Sequence, residues 1–182
     1  MSGFVRRSER LIYEGAIWNL VVADFEAPTG EVFQRDLVRS PGSVAVVALV
    51  EESKVVLVRQ YRPAFEREII EIPAGMRDIA GEPVAETARR ELVEEVGLAT
   101  DDLIPLTEMI PSVGMTDAVC TIFLAPDCRA VPSNRQGPEE EAMEIITVEL
   151  SEAIAMVDRG DITDAKTVTG LVLADRVRRR DR

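Results

Sequence analysis

Two consecutive apolar, β-branched runs constrain this chain most: SVAVVALV at residues 43–50 and VVLVRQ at 55–60, separated only by Glu51-Glu52-Ser53-Lys54. A strand buried on one face would alternate apolar with polar residues, and neither run does. The pair predicts a central hairpin covered on both faces, which requires further layers above and below it. Strands are predicted at 11–13, 16–25 and 32–38, with a turn at Ala27-Pro28-Thr29-Gly30, and a short one at 68–72. Pro73, Gly75, Gly81 and Pro83 then punctuate a loop. Pro83 suits a first helical turn and Gly97 the position after a helix end; between them Ala85, Ala88, Leu92 and Val96 form an apolar stripe. Strands near 105–110, 118–125 and 145–150 follow, then a helix capped by Ser151 and stopped by Gly160, and a last helix at about 164–179. The mixture predicts one α/β (α+β) domain over 1–182 with a mixed sheet, without repeats or a linker. Its basic end, Arg176 to Arg182, complements a helix dipole in the ordinary reading and an anion in the alternative one.

Composition narrows the chemistry. Acidic residues number 33 against 21 basic ones, a formal charge of -12, which argues against a nucleic-acid partner. There is no histidine, so Ser-His-Asp and Cys-His nucleophile systems and His-ligated zinc are excluded. Catalysis is left to carboxylates, Lys, Tyr and metal-activated water. Cys120 and Cys128 have no CxxC spacing, and Cys120 reads as a buried free thiol. The N-terminus lacks a signal-peptide stretch and no run reaches membrane-spanning length, so a cytoplasmic protein without a membrane partner is expected.

The informative segment is GMRDIAGEPVAETARRELVEEVGL, residues 75–98. On a helix Glu91, Glu94 and Glu95 share one face, a spacing at which like charges repel. Hard oxygen donors crowded in this way suit Mg²⁺ or Mn²⁺, although the acids alone also fit a solvated ion-pair face. Arg90 stands four residues from both Glu86 and Glu94, where it can orient acids. The segment closely resembles the Nudix box, G-x5-E-x7-R-E-U-x-E-E-x-G-U with U aliphatic, the motif of the metal-dependent Nudix pyrophosphohydrolases. Gly75, Glu82, Arg90, Glu91, Leu92, Glu94, Glu95, Gly97 and Leu98 fill its nine defined positions. Six residues rather than five separate Gly75 from Glu82, so the loop before the helix carries one extra.

The resemblance implies a Nudix fold, with a mixed sheet between helices. It makes Glu91, Glu95, Glu94 and the carbonyl of Ala74 the metal ligands, for Mg²⁺ with Mn²⁺ as substitute. Arg90 and Glu82 would brace the helix and loop, with Gly75 and Gly97 as structural positions. The base that deprotonates the attacking water would be a Glu on the acidic loop 136–144, with Glu141 the best match and Glu140 second. A solvated acidic loop is the alternative.

Over most of the chain the resemblance is to the ADP-ribose pyrophosphatase branch, through RQYRPAFEREIIEIPAG before the box and PSVGMTDA after it. It implies a homodimer that exchanges the N-terminal β region, 1–42, around a Nudix core at 43–182. It also implies a nucleoside diphosphate sugar as substrate. Trp18 would stack on adenine or, alternatively, anchor a core or dimer interface. Arg62 and, from the partner, Arg35 would contact phosphates, with Gly114 in the substrate wall. Relatives read S-P-G-x-[ST]-x-E after the box; Val113 and Ala118 here replace the Pro and the Glu. The leading expectation is cleavage of ADP-ribose to AMP and ribose 5-phosphate. Alternatives are another nucleoside diphosphate sugar, an oxidised nucleotide, or a non-catalytic nucleotide-sensing module.

Overall fold

Residues 3–135 and 137–180 are described by the computed structural model. Two compact units emerge: Met1–Gly42 with Ile110–Val119, and Ser43–Met109 with Cys120–Arg182. The first takes in a segment, 110–119, that the sequence assigned to the core. Its sheet is an antiparallel meander of β1 (Val5–Glu14), β2 (Asn19–Glu26) and β3 (Val32–Arg39). The β2–β3 turn closes where predicted, with Gly30 at φ 85° donating its N–H to the Ala27 carbonyl at 2.9 Å. β1 is far longer than the three residues expected. Its side chains are exposed throughout, so a ladder to β2 holds it and no burial pattern betrays it. Segment 110–119 joins β3 through the Val38 N–H to the Met115 carbonyl, 2.9 Å, and an Arg39–Asp117 ion pair of 3.0 Å.

In the second unit the elements are β4 (Ser43–Val50), β5 (Lys54–Arg62), β6 (Arg67–Glu71), β7 (Ala74–Met76), α1 (Val84–Val96), β8 (Leu98–Ala99), β9 (Ile104–Met109), β10 (Cys120–Ala125), β11 (Arg129–Ala130), α2 (Gly137–Glu141), β12 (Glu144–Glu149), α3 (Leu150–Arg159) and α4 (Ala165–Arg180). The main sheet runs β12-β5-β4-β10-β9, with β6 beside β5 and β7 beside β4; β4 pairs with β10 in parallel and the other pairs are antiparallel. Both faces of β4 are buried, as its unbroken apolar run requires. Ala45, Val47 and Leu49 pack with Leu150, Ala153, Leu171 and Ala174 of α3 and α4. Val44, Val46 and Ala48 pack with Ala88, Leu92 and Val96 of α1.

Gly170 lets α4 lie directly on the sheet, since a Cβ there would come within 2.9 Å of Val47 and 3.0 Å of Ile72. Cys120 and Cys128 are buried free thiols. Ser151 does not cap α3. The N-cap is Glu149, two residues earlier, and the helix begins at Leu150, whose side chain is buried and whose N–H donates to the Ser53 carbonyl at 2.9 Å. Pro83 is the N-cap of α1, at φ -60° and ψ 138°, rather than a residue of its first turn.

Candidate active site

α1 begins after Pro83 and ends at Gly97, whose left-handed φ of 62° returns its N–H to the Val93 carbonyl at 3.0 Å. Its apolar stripe fixes rotation about the axis, and that rotation turns the acids inward. Glu95 is only 3% exposed, and the side chains of Glu91 and Glu94 are 12% and 21% exposed. None of the three carboxylates is fully solvated. Glu95 Oε2 accepts the Ala74 N–H at 2.8 Å, tying the helix to β7. Gly75 follows, and a Cβ there would fall 2.0 Å from the Glu91 carboxylate carbon, so only glycine admits that carboxylate.

Arg90 is the hub of the cluster. Its guanidinium pairs with Glu91 at 2.8 Å, Glu94 at 3.0 Å, Asp78 at 3.0 Å and Glu82 at 3.3 Å. Glu86 pairs with Arg89 instead, at 2.8 Å. Asp78 lies in the loop that carries the extra residue, which thus contributes to bracing the helix. Although partly desolvated, Arg90 is held above its ordinary pKa by Glu82, Glu91 and Glu94.

One cation does not neutralise this much acid. Burial pushes the Glu91 carboxyl up to about 7, with Arg90 opposing the rise and Glu94 adding to it. Burial pushes Glu95 up to about 8, against the Ala74 N–H and with help from the charges of Glu140 and Glu91. Among the described residues no three Asp, Glu or Cys side chains converge as a finished metal cage. Arg90 holds Glu91 and Glu94, while Glu95 turns to Ala74. The donor set nevertheless fits a hard divalent ion: it is all oxygen, it is carried on one rigid helix beside a glycine cradle, and its charge is under-compensated.

Arg62 on β5 donates from Nε and Nη2 to the two oxygens of Glu71, at 2.6 and 2.8 Å. Glu71 is 3% exposed and also pairs with Lys166 at the start of α4. Two residues from Arg62, Gln60 Oε1 is buried without a hydrogen-bond donor among the described residues. Nothing in the sequence pointed to Glu71 and Lys166, which are 95 residues apart. Of the acidic-loop pair, Glu140 is half-buried and its charge reaches Glu95, whereas Glu141 at the end of α2 is exposed.

The remaining sequence candidates belong to the first unit. Trp18 is 54% exposed and lines an open concavity of about 410 Å³ with Tyr13, Ile17, Leu20 and Val38. Arg35 lies over the Phe33 ring, 4.7 Å from its centroid, and donates to the Gln34 carbonyl. Gly114 is exposed in the 110–119 segment, with open space where a Cβ would sit.

The model of the NUDIX domain matches residues 39–170. The chain belongs to the Nudix family. Its relatives include an ADP-ribose pyrophosphatase of Bacillus subtilis, 38% identical over 86% of this chain and 84% of that protein. A methanol dehydrogenase activator of Bacillus methanolicus is 36% identical over 86% of this chain and 84% of its own. An ADP-ribose pyrophosphatase of Mycobacterium tuberculosis is 33% identical over 91% and 80%. Among solved structures, one described as an ADP compounds hydrolase superposes with a TM-score of 0.83 over 98% of this chain and 95% of that chain, at 21% identity, and thus shares the Nudix fold.

Proposed function

We propose that this Nudix protein hydrolyses the diphosphate of ADP-ribose to AMP and ribose 5-phosphate, with Mg²⁺ as its ion and Mn²⁺ as a substitute. The observation that carries the reading is the α1 carboxylate cluster, buried beside Gly75 with more negative charge than Arg90 neutralises. Relatives named ADP-ribose pyrophosphatases support the substrate.

Glu91, Glu94, Glu95 and the Ala74 carbonyl would hold the ion. Once bound, a divalent ion offsets diphosphate charge and makes water a better nucleophile at neutral pH. Arg90 keeps the carboxylates in register, with Glu82 bracing the loop. Arg62, aimed by Glu71, contacts phosphate oxygens. Glu140 or Glu141 takes the proton of the attacking water, and the half-burial of Glu140, whose charge reaches Glu95, favours it over the exposed Glu141. On resemblance, Trp18 stacks on adenine, Arg35 contacts phosphate and Gly114 belongs to the substrate wall. A cytoplasmic homodimer completes the proposal. Ala118, where relatives have Glu, favours a second reading: another nucleoside diphosphate sugar, split by the same machinery.

The test is hydrolysis of ADP-ribose, ADP-glucose, GDP-mannose and oxidised dNTPs with Mg²⁺, by the wild type and Glu95→Gln. Loss of one ion-holding carboxylate should lower kcat by roughly a thousandfold, since such stabilisation is worth several kcal/mol. An unchanged rate in Glu95→Gln rejects the ion site. Far faster turnover of GDP-mannose or an oxidised dNTP rejects the ADP-ribose assignment.

A further inference from the structure

The C-terminal end of α1 has no basic residue of its own in the last turn, although that turn carries the carboxylates of Glu94 and Glu95 and the negative end of the helix dipole. Its last carbonyls are satisfied from elsewhere in the second unit. The Val131 N–H donates to the Gly97 carbonyl at 2.8 Å, and the Asn134 N–H to the Glu94 carbonyl at 3.2 Å. Gly97 is indispensable to this strap, because a Cβ would meet the Val131 carbonyl oxygen at 2.7 Å. Arg135 completes it. Its Nε donates to the Glu95 carbonyl at 3.2 Å, and its Nη1 reaches across to the Met143 carbonyl at 3.1 Å.

That second bond bears on the acidic loop. α2 buries no side chain, so apolar packing of its own residues does not hold it. The residues just beyond α2 are anchored: the Met143 side chain is buried in the cluster that contains Ala88, Leu92 and Val96 of α1, and its N–H donates to the Glu140 carbonyl at 3.2 Å. A continuous chain of contacts thus runs from the Glu95 backbone through the Arg135 guanidinium to Met143 and on to Glu140. A planar guanidinium with spaced donors can bridge two carbonyls; an ammonium offers a point charge without that fork.

We propose that Arg135 is a positioning residue that sets the distance between the acidic loop, Glu139 to Glu141, and the ion-holding helix α1. It touches neither substrate nor ion, and it acts through the placement of Glu140 and Glu141. The catalytic part rests on the proposed ADP-ribose diphosphatase activity; the clamp itself does not.

Two measurements test it with the full chain: steady-state hydrolysis of ADP-ribose with Mg²⁺, and amide hydrogen exchange. In Arg135→Met, exchange should rise across 137–143 while residues 84–92 of α1 stay protected. The same variant should lose roughly 10- to 100-fold in kcat, the scale of a misplacement near 1 Å, with KM nearly unchanged. Arg135→Lys should recover only part of it. In a Glu140→Gln, Glu141→Gln background, adding Arg135→Met should lower kcat no further. Unchanged exchange in 137–143 overturns the clamp, as does exchange raised through all of α1, which marks a general loss of stability. Multiplying losses in the triple variant, or an unchanged kcat in Arg135→Met, overturns the positioning role. A wild type inert towards ADP-ribose defeats the diphosphatase reading and the catalytic role together, and leaves the exchange result to decide the clamp.

Discussion

Glu71 shows what a single buried charge does in this fold. Burial raises its pKa, but Arg62 and Lys166 outweigh that and hold the carboxyl below its ordinary value of 4.5. Its ionised form is therefore worth stability above about pH 4.5, and that contribution is lost as pH falls through the lower folded-state pKa. Glu71→Gln should cost about 2 kcal/mol at pH 7, less than a fully buried pair because the Arg62 side chain is 39% exposed. In a chain of this size that is roughly 4–8 °C in Tm. Thermal melts at pH 7 and at pH 3 check this: the gap between wild type and variant should narrow in acid, and an equal gap at both rejects the role of charge. The box acids were legible because their spacing lies within one helix. Glu71 and Lys166 were not, since a pair 95 residues apart leaves no local pattern.

At the scale of elements, α1 works because the backbone beside it has no side chain in the way. Gly75→Ala should force Glu91 out of its place, since the new Cβ would sit 2.0 Å from its carboxylate carbon. Helix content by far-UV circular dichroism should hold while kcat for ADP-ribose drops at least roughly tenfold, the scale of a misplaced ion-holding group. Equal loss of both would make Gly75 a folding residue only. The core packing of α1 is separable: Leu92→Ala, at a site with 0% exposure, should cost about 2–5 kcal/mol in denaturant unfolding. A cost below about 1 kcal/mol would contradict its place in the core. The long elements announced themselves through apolar runs and Gly97. β7, β8, β11 and α2 are two to five residues long, too short to show a period. β1 is long but exposed, and a strand held by its backbone ladder and by polar side-chain pairs such as Arg7–Glu26 and Ser8–Asp24 has no burial pattern to reveal it.

For the whole molecule, the first unit leaves Leu11, Tyr13, Ile17 and Trp18 at 48–66% exposure, apolar surface of the kind that a second copy covers. The proposed homodimer predicts twice the mass of the 20.1 kDa chain by light scattering, with Trp18→Glu shifting it towards one chain. A wild type of single-chain mass at micromolar concentration rejects the dimer. The charge of -12 bears on solubility and partner choice, and fixes neither fold nor site. By itself the sequence determined what local periodicity and composition encode: the doubly buried hairpin, the box helix with its acids on one face, and a chemistry without imidazole. Only the tertiary structure decided which carboxylates lose their water, that Glu71 orients Arg62, and that Arg135 joins the helix end to the acidic loop. Burial and long-range hydrogen bonds depend on which surfaces close over one another, and no window of consecutive residues contains that information.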